Sequence, residues 1–225
     1  MGNAGDRIRA KYRDPTSLYS RFRQARARHV RGLIDAIHAR QGRVDILDLG
    51  GSVDYWAVFG ADYLAARNAR ITLLNRYPQT VDVPLFDVRV GDACAVDAPD
   101  GSFDLVHSNS VIEHVGTDQD MRDFAREVRR LAPAYFVQTP NLWFPYEPHM
   151  RAPLVHWLPQ GLQARIVLAF QLHAEAPVKD LAAAQAFLRH NRLLGPAKMR
   201  GLFPDAALTI ERYMGLPKSI MAIRR

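Results

Sequence analysis

Val44-Asp-Ile-Leu-Asp-Leu-Gly-Gly-Ser52 decides the reading of this chain. Val44 to Leu49 is an apolar run of strand length that breaks into a pair of glycines. Such a run reads as a buried strand of a parallel sheet. Glycines directly after it let the main chain approach a ligand more closely than a Cβ would allow.

Outward from this point the pattern alternates. A helix is expected around Trp56 to Arg67, a second strand at Ile71 to Leu74, and a short third at Val88 to Val90. Phe103 to Val106 reads as the fourth strand and Tyr135 to Gln138 as the fifth. Between them Thr117 caps a helix whose Met121, Phe124, Val128 and Leu131 share one face. Strands alternating with helices imply a parallel sheet covered on both faces. Residues 140–158 are rich in proline and aromatics and read as a long irregular segment, a length that tends to be functional. Helical patterns follow over 160–173 and 178–193. Leu208 to Tyr213 and Ser219 to Ile223 then form an antiparallel hairpin at the sheet edge, turning at Leu216-Pro217.

Ahead of the first strand, Asp14-Pro15 opens a helix that Gln41-Gly42 closes. Leu18, Phe22, Ala25, Val30, Leu33, Ile34 and Ile37 recur along it at roughly helical spacing, and Arg21, Arg23, Arg26, Arg28 and Arg31 fill much of the rest. Residues 1–43 hold 11 Lys+Arg against 3 Asp+Glu, whereas the remainder is nearly neutral. The basicity therefore belongs to this segment and not to the body. Expected organisation is a basic helical cover over 1–43 and a catalytic domain over 44–225, with 140–195 as substrate-side segment and helical insertion. A single cysteine, Cys94, excludes an intrachain disulfide. Neither a secretory leader nor a membrane-spanning run is visible, so a cytoplasmic enzyme is expected. Oligomeric state is not readable.

The motifs sharpen this order. Ile46-Leu-Asp-Leu-Gly-Gly-Ser52, Val90-Gly-Asp-Ala93 and the stretch from Asp100 through Phe103 to Glu113-His114 resemble successive motifs of the class I S-adenosylmethionine-dependent methyltransferase family, of methyltransferase type 11 kind. That resemblance implies a Rossmann-like, mostly parallel seven-stranded sheet with a C-terminal antiparallel hairpin and helices on both faces. It implies S-adenosyl-L-methionine as cofactor. Asp48, Gly50, Gly51, Asn75, Asp92, Ala93 and Asn109 fall at or just after strand ends, where open α/β sheets bind ligands, and are the expected cofactor-binding residues. Asn75 stands where the family carries a carboxylate, and Ser52 where it carries a second glycine. A nicotinamide site would require Gly-x-Gly-x-x-Gly and an acidic residue about 20 positions on, which this turn does not provide.

Glu113 and His114 fall at the mouth of the expected site, and Glu147, His149 and His156 in the irregular segment. His114, Glu147 and His149 are the candidates for acid–base work on an oxygen or nitrogen acceptor. The spacing of Glu147, His149 and His156 matches no standard metal motif, so no metal is expected. The expected reaction is methyl transfer to a small-molecule acceptor. Three other readings stay open: a non-catalytic S-adenosylmethionine-binding module, a nucleic-acid methyltransferase using the basic helix, and another enzymatic use of the sulfonium such as intramolecular cyclisation. Nucleic acid is disfavoured because no recognisable binding module accompanies the basic helix.

Overall fold

The computed structural model describes residues 17–81, 83–172 and 177–225. Its frame is a seven-stranded sheet in the order β3-β2-β1-β4-β5-β9-β8. β1 (Val44–Leu49), β2 (Ala69–Asn75), β3 (Phe86–Val90), β4 (Leu105–Asn109) and β5 (Ala134–Pro140) run parallel. β9 (Leu216–Arg224) pairs antiparallel with β5 and, as a hairpin, with β8 (Ala207–Tyr213). This is the Rossmann-like methyltransferase arrangement expected from the motifs. The strand order reverses between β1 and β4, which opens a crevice beyond the carboxyl ends of these two strands.

Successive side chains of a strand point to opposite faces, so each strand feeds two cores. On one face Ile46, Ile71, Leu105 and Phe136 pack with Val30, Ile34 and Ile37 of α1 (Leu18–Gln41) and with Trp56 of α2 (Val53–Trp56). On the other, Leu47, Val106, Tyr135 and Val137 pack with Phe124 and Val128 of α4 (Asp118–Leu131), and with Met199 and Leu202 of a further helix, Pro196–Leu202. The basic N-terminal segment thus contributes one of the sheet's covering helices. Ser17 caps α1 by accepting from the Ser20 amide at 3.1 Å, while the Asp14-Pro15 start lies outside the described residues. Gly42 closes the helix at φ 75°, its amide bonded to the His38 carbonyl. Thr117 caps α4 as expected, in a reciprocal box with Asp120.

Three boundaries differ from expectation. The helix expected over Trp56 to Arg67 is two short ones, α2 and α3 (Ala61–Ala65), broken at Gly60, whose φ of 82° ends helical geometry. β4 runs from Leu105 to Asn109 and not from Phe103, because the Phe103 amide is spent on the Leu131 carbonyl. The hairpin turns at Met214-Gly215, with φ values of 49° and 81°, and not at Leu216-Pro217. Positive φ at both central residues suits a tight turn between twisted strands. Pro217 is accommodated opposite Arg212, where the ladder shifts register.

The segment after β5 is less irregular than its composition suggests. Tyr146–Glu147 (β6) and Ala152–Pro153 (β7) form a small antiparallel ribbon. With α5 (Gln160–Phe170) and α6 (Leu181–His190) it shares an apolar cluster that includes Met150, Ala164, Val167 and Leu188. Among the described residues no helix is long and apolar enough to cross a membrane.

Candidate active site

The turn after β1 is built around Asp48. Its carboxylate is buried, receiving the Trp56 indole N–H at 2.7 Å and facing His107 Nδ1 at 2.6 Å. Asp48 and His107 are direct partners across the β1–β4 ladder, so the sheet register itself makes the second contact. Phe136 stacks on the His107 ring, and Tyr55 and Trp56 enclose it. Gly51 packs directly on this hub: a Cβ there would lie 2.9 Å from Asp48 Cβ and overlap the carboxylate outright. Gly50 sits at φ 72°, with Val111 of the β4 loop 2.5 Å from where its Cβ would stand. Both glycines are therefore required by space or backbone, independently of any ligand.

Asn75 ends β2 and donates from its amide nitrogen to the Gly51 carbonyl at 3.0 Å. This leaves its amide oxygen as the acceptor. A carboxylate could not make that donation, which gives the departure from the family pattern a physical reason. Asp92 accepts from the Cys94 amide at 2.9 Å and lies 3.6 Å from the Arg76 guanidinium. Ala93 packs against the core beside it. Burial, and then Asp92, push the Cys94 thiol up to about 12, which keeps it protonated at neutral pH.

Beyond the carboxyl ends of β4 and β5 lies a cavity of about 420 Å³. Volumes of a few hundred Å³ are those of small-molecule sites. Its floor includes Asn109, Ser110 and Gln138, its roof Phe22, Arg23 and Arg26 of α1, and its outer wall Phe144 and Tyr146. Arg26 ties the roof to the floor: Nη1 reaches Asn109 Oδ1 at 2.8 Å and Gln138 Oε1 at 2.9 Å, while Nε reaches Glu211 Oε1 at 3.1 Å. Lys218, also on the wall, is held below its ordinary range by burial and then by Arg26, although Glu211 pulls the other way at 3.0 Å. The Tyr55 hydroxyl is buried beside this cavity with no hydrogen-bond partner among the described residues, and burial raises its pKa.

Glu113, His114, Glu147 and His149 come together beside the cavity, behind its lining. Glu113 is fully buried; Oε2 accepts from the Thr139 hydroxyl at 2.9 Å, and burial pushes the carboxyl up to about 7. His114 is lowered to about 4, first by burial and then by the neighbouring His149. Burial alone would lower His149 as well, but Glu147, at 2.5 Å from Nδ1, outweighs it and raises the imidazole. His156 stands apart from this cluster, with Nε2 against the Leu142 carbonyl at 3.0 Å.

Of the expected cofactor residues, Gly50, Gly51 and Asn75 form one contiguous turn, Asp92 and Ala93 stand at the end of β3, and Asn109 joins the cavity floor. Asp48 supports the turn from beneath with both carboxylate oxygens engaged. Arg26, His107 and Tyr55 were not singled out by sequence. A signal existed for Arg26: it falls at helical spacing between Phe22 and Val30, on the apolar stripe, where a surface arginine does not belong.

The sheet order, hairpin and glycine turn are those of a class I methyltransferase fold. Residues 49–133 match the family model described as a methyltransferase domain. A methyltransferase from Aquifex aeolicus, described as SAM dependent, superposes with a TM-score of 0.51 at 10% identity, over 100% of this chain and 98% of that one. A possible exported protein from Bordetella parapertussis superposes equally well, with a TM-score of 0.51 at 17% identity, over 99% of this chain and 79% of that one. No curated protein sequence matches the chain. Residues 49–133 carry the match to a methyltransferase domain, and the superpositions over the whole chain show a shared fold.

Proposed function

We propose that this protein transfers the methyl group of S-adenosylmethionine to a small molecule bound in the cavity between α1, the ends of β4 and β5, and the segment after β5. The observation that carries the reading is that cavity: it is lined on several sides, and its Ser110 directly precedes Val111, the residue that packs on Gly50 of the glycine turn. In the reading, Gly50, Gly51 and Asn75 receive the methionine and ribose parts of the cofactor, Asp92 and Ala93 the adenine, and Asn109 the boundary with the acceptor. The sulfonium supplies the reactivity, and the protein places the acceptor in line with the methyl group and keeps water out. Aromatic walls with Arg23, Arg26 and Lys218 at one end suit an acceptor with a flat apolar body and a polar or anionic substituent. His114, Glu147 and His149 serve as a cluster behind that wall and not as groups touching the acceptor.

The inward use of Arg26 and Arg31 favours a small acceptor over nucleic acid. Arg26 is half-buried and bonded to Asn109, Gln138 and Glu211, and Arg31 donates to the Phe59 carbonyl at 2.6 Å while stacking on Tyr63. These charges are turned towards the protein and are poorly placed to meet phosphates. Incubating the chain with methyl-labelled S-adenosylmethionine and a small-metabolite extract, and in parallel with total RNA and DNA, tests the reading. A labelled product of low molecular mass is expected. Label recovered only in nucleic acid, or cofactor binding without transfer to anything, would sink it.

A further inference from the structure

The geometry points to a binding site for a divalent transition-metal ion, of the zinc class, formed by Glu113, His114 and His149 with Glu147 as orienting partner. One ligand atom from each of Glu113, His114 and His149 lies within 4.8 Å of the other two. Between Glu113 Oε1 and His114 Nε2 the separation is 4.0 Å. These are too far apart for hydrogen bonds and close to the spacing of donors around one ion, since metal–ligand bonds of about 2.0–2.2 Å place tetrahedral neighbours roughly 3.4 Å apart. Small side-chain adjustments would close the set.

A second observation points to a ligand independently. Glu113 has no exposed surface, and among the described residues Oε1 has no hydrogen-bond partner. A buried carboxylate oxygen facing two imidazoles without a proton donor is an unusual thing for a fold to keep, and a cation among them satisfies it. Both remaining features of a metal site are present. Glu147 accepts from His149 Nδ1 at 2.5 Å, leaving Nε2 as the nitrogen with the free lone pair; a carboxylate that fixes a ligating imidazole in this way is a recurring partner of such sites. Thr139 holds Oε2 of Glu113 at 2.9 Å, orienting the carboxylate. The donor set of two imidazoles and one carboxylate suits zinc and its neighbours better than magnesium or calcium, which take oxygen.

The sequence concealed this set. Glu147, His149 and His156 were the obvious triplet and their spacing fits nothing; the fold discards His156 and brings in Glu113-His114 from the far side of β5. The ion would fasten the β6–β7 ribbon, which carries His149 between its strands, to the loop after β4. His114 and His149 retain some exposed surface, which leaves a fourth position open to water. The inference does not depend on methyl transfer.

The test uses tag-free full-length protein, stripped with chelator and dialysed, titrated calorimetrically with Zn²⁺ and separately with Mg²⁺, with Co²⁺ absorption as a reporter of coordination. Expected are one Zn²⁺ per chain, negligible Mg²⁺ binding, and a visible Co²⁺ ligand-field band. Glu113→Gln and His149→Ala should each abolish the band and weaken Zn²⁺ binding by at least about 100-fold, while Glu147→Gln should weaken it by about 10- to 100-fold and keep the band. Circular dichroism of each metal-free variant checks folding, and His114→Gln replaces any variant that fails it. Absence of stoichiometric Zn²⁺ binding, or binding unchanged in the folded ligand variants, would overturn the proposal.

Discussion

Gly51→Ala is the most informative single substitution in the glycine turn. Its φ is not in the left-handed region, so the cost is one of space. The new Cβ overlaps the Asp48 carboxylate, which is pinned between the Trp56 indole and His107. To restore ordinary contact the carboxylate must move by about 1.5 Å, enough to break both hydrogen bonds. Bonds to a charged group are worth about 1.5–3 kcal/mol each, so a partly relaxed site should lose about 3 kcal/mol. For a chain of this size that is a fall of roughly 6–12 °C in Tm. Gly60→Ala is the control: φ is 82° but nothing lies within 4 Å of its Cβ, so only backbone strain of about 1–2 kcal/mol applies. In an Asp48→Ala background, which removes the carboxylate but leaves a Cβ 2.9 Å away, the same Gly51→Ala change should cost less, about 1–2 kcal/mol, a coupling visible as non-additivity. Urea denaturation of the four proteins and the control measures this. If Gly51→Ala proves no costlier than Gly60→Ala, or costs as much with Asp48 removed, the hub is not what fixes the turn.

Three further outcomes are expected. Arg26→Ala should lower the unfolding free energy by about 2 kcal/mol in urea titrations, less than the roughly 3–5 kcal/mol of a fully buried ion pair, because Arg26 keeps some exposure and Glu211 keeps Lys218 and Ser219. Asn75→Asp, which restores the family's usual carboxylate, should destabilise by about 1 kcal/mol and fail to tighten cofactor binding, since it loses the donor to the Gly51 carbonyl and sets an anion beside it. Asp118 is held below its ordinary pKa by Lys198 first and by Arg192, so its contribution is present above the unfolded value of 3.8 and lost as pH falls through the lower folded value. Asp118→Asn should therefore cost at most about 1 kcal/mol at pH 7, the pair being exposed, and progressively less as pH falls below 3.8, as thermal melts across that range would show.

The fold was legible because β1, β2 and β5 are mostly apolar runs of strand length and α4 carries both an apolar stripe and a cap. The turn residues were legible for a related reason: glycines and polar side chains at strand ends are local features. What stayed hidden depends on register and on distant pairing. Asp48 appeared as a ligand contact, yet its carboxylate is consumed by His107 and Trp56, a fact set by which residues of β1 and β4 stand opposite. Arg26 carried a signal on its helix face, but its partners come from β4, β5 and β8, separated from it by 83 to 185 positions. The break at Gly60 shows how a single positive-φ residue overrides a helical apolar pattern. In the proline-rich segment, spacing along the chain misled, because the cluster joins residues from two segments across the end of β5.

The proposed role of the turn at Gly50-Gly51 with Asn75 is to hold S-adenosylmethionine. Calorimetric titration of the purified chain with S-adenosylhomocysteine tests it most directly. Saturable one-to-one binding is expected, with a dissociation constant in the range of about 1–100 μM, equivalent to roughly 5–8 kcal/mol, and a clear weakening in Gly51→Ala at a temperature where that variant remains folded. Absence of binding to the folded native chain, or affinity unchanged by Gly51→Ala, would contradict it.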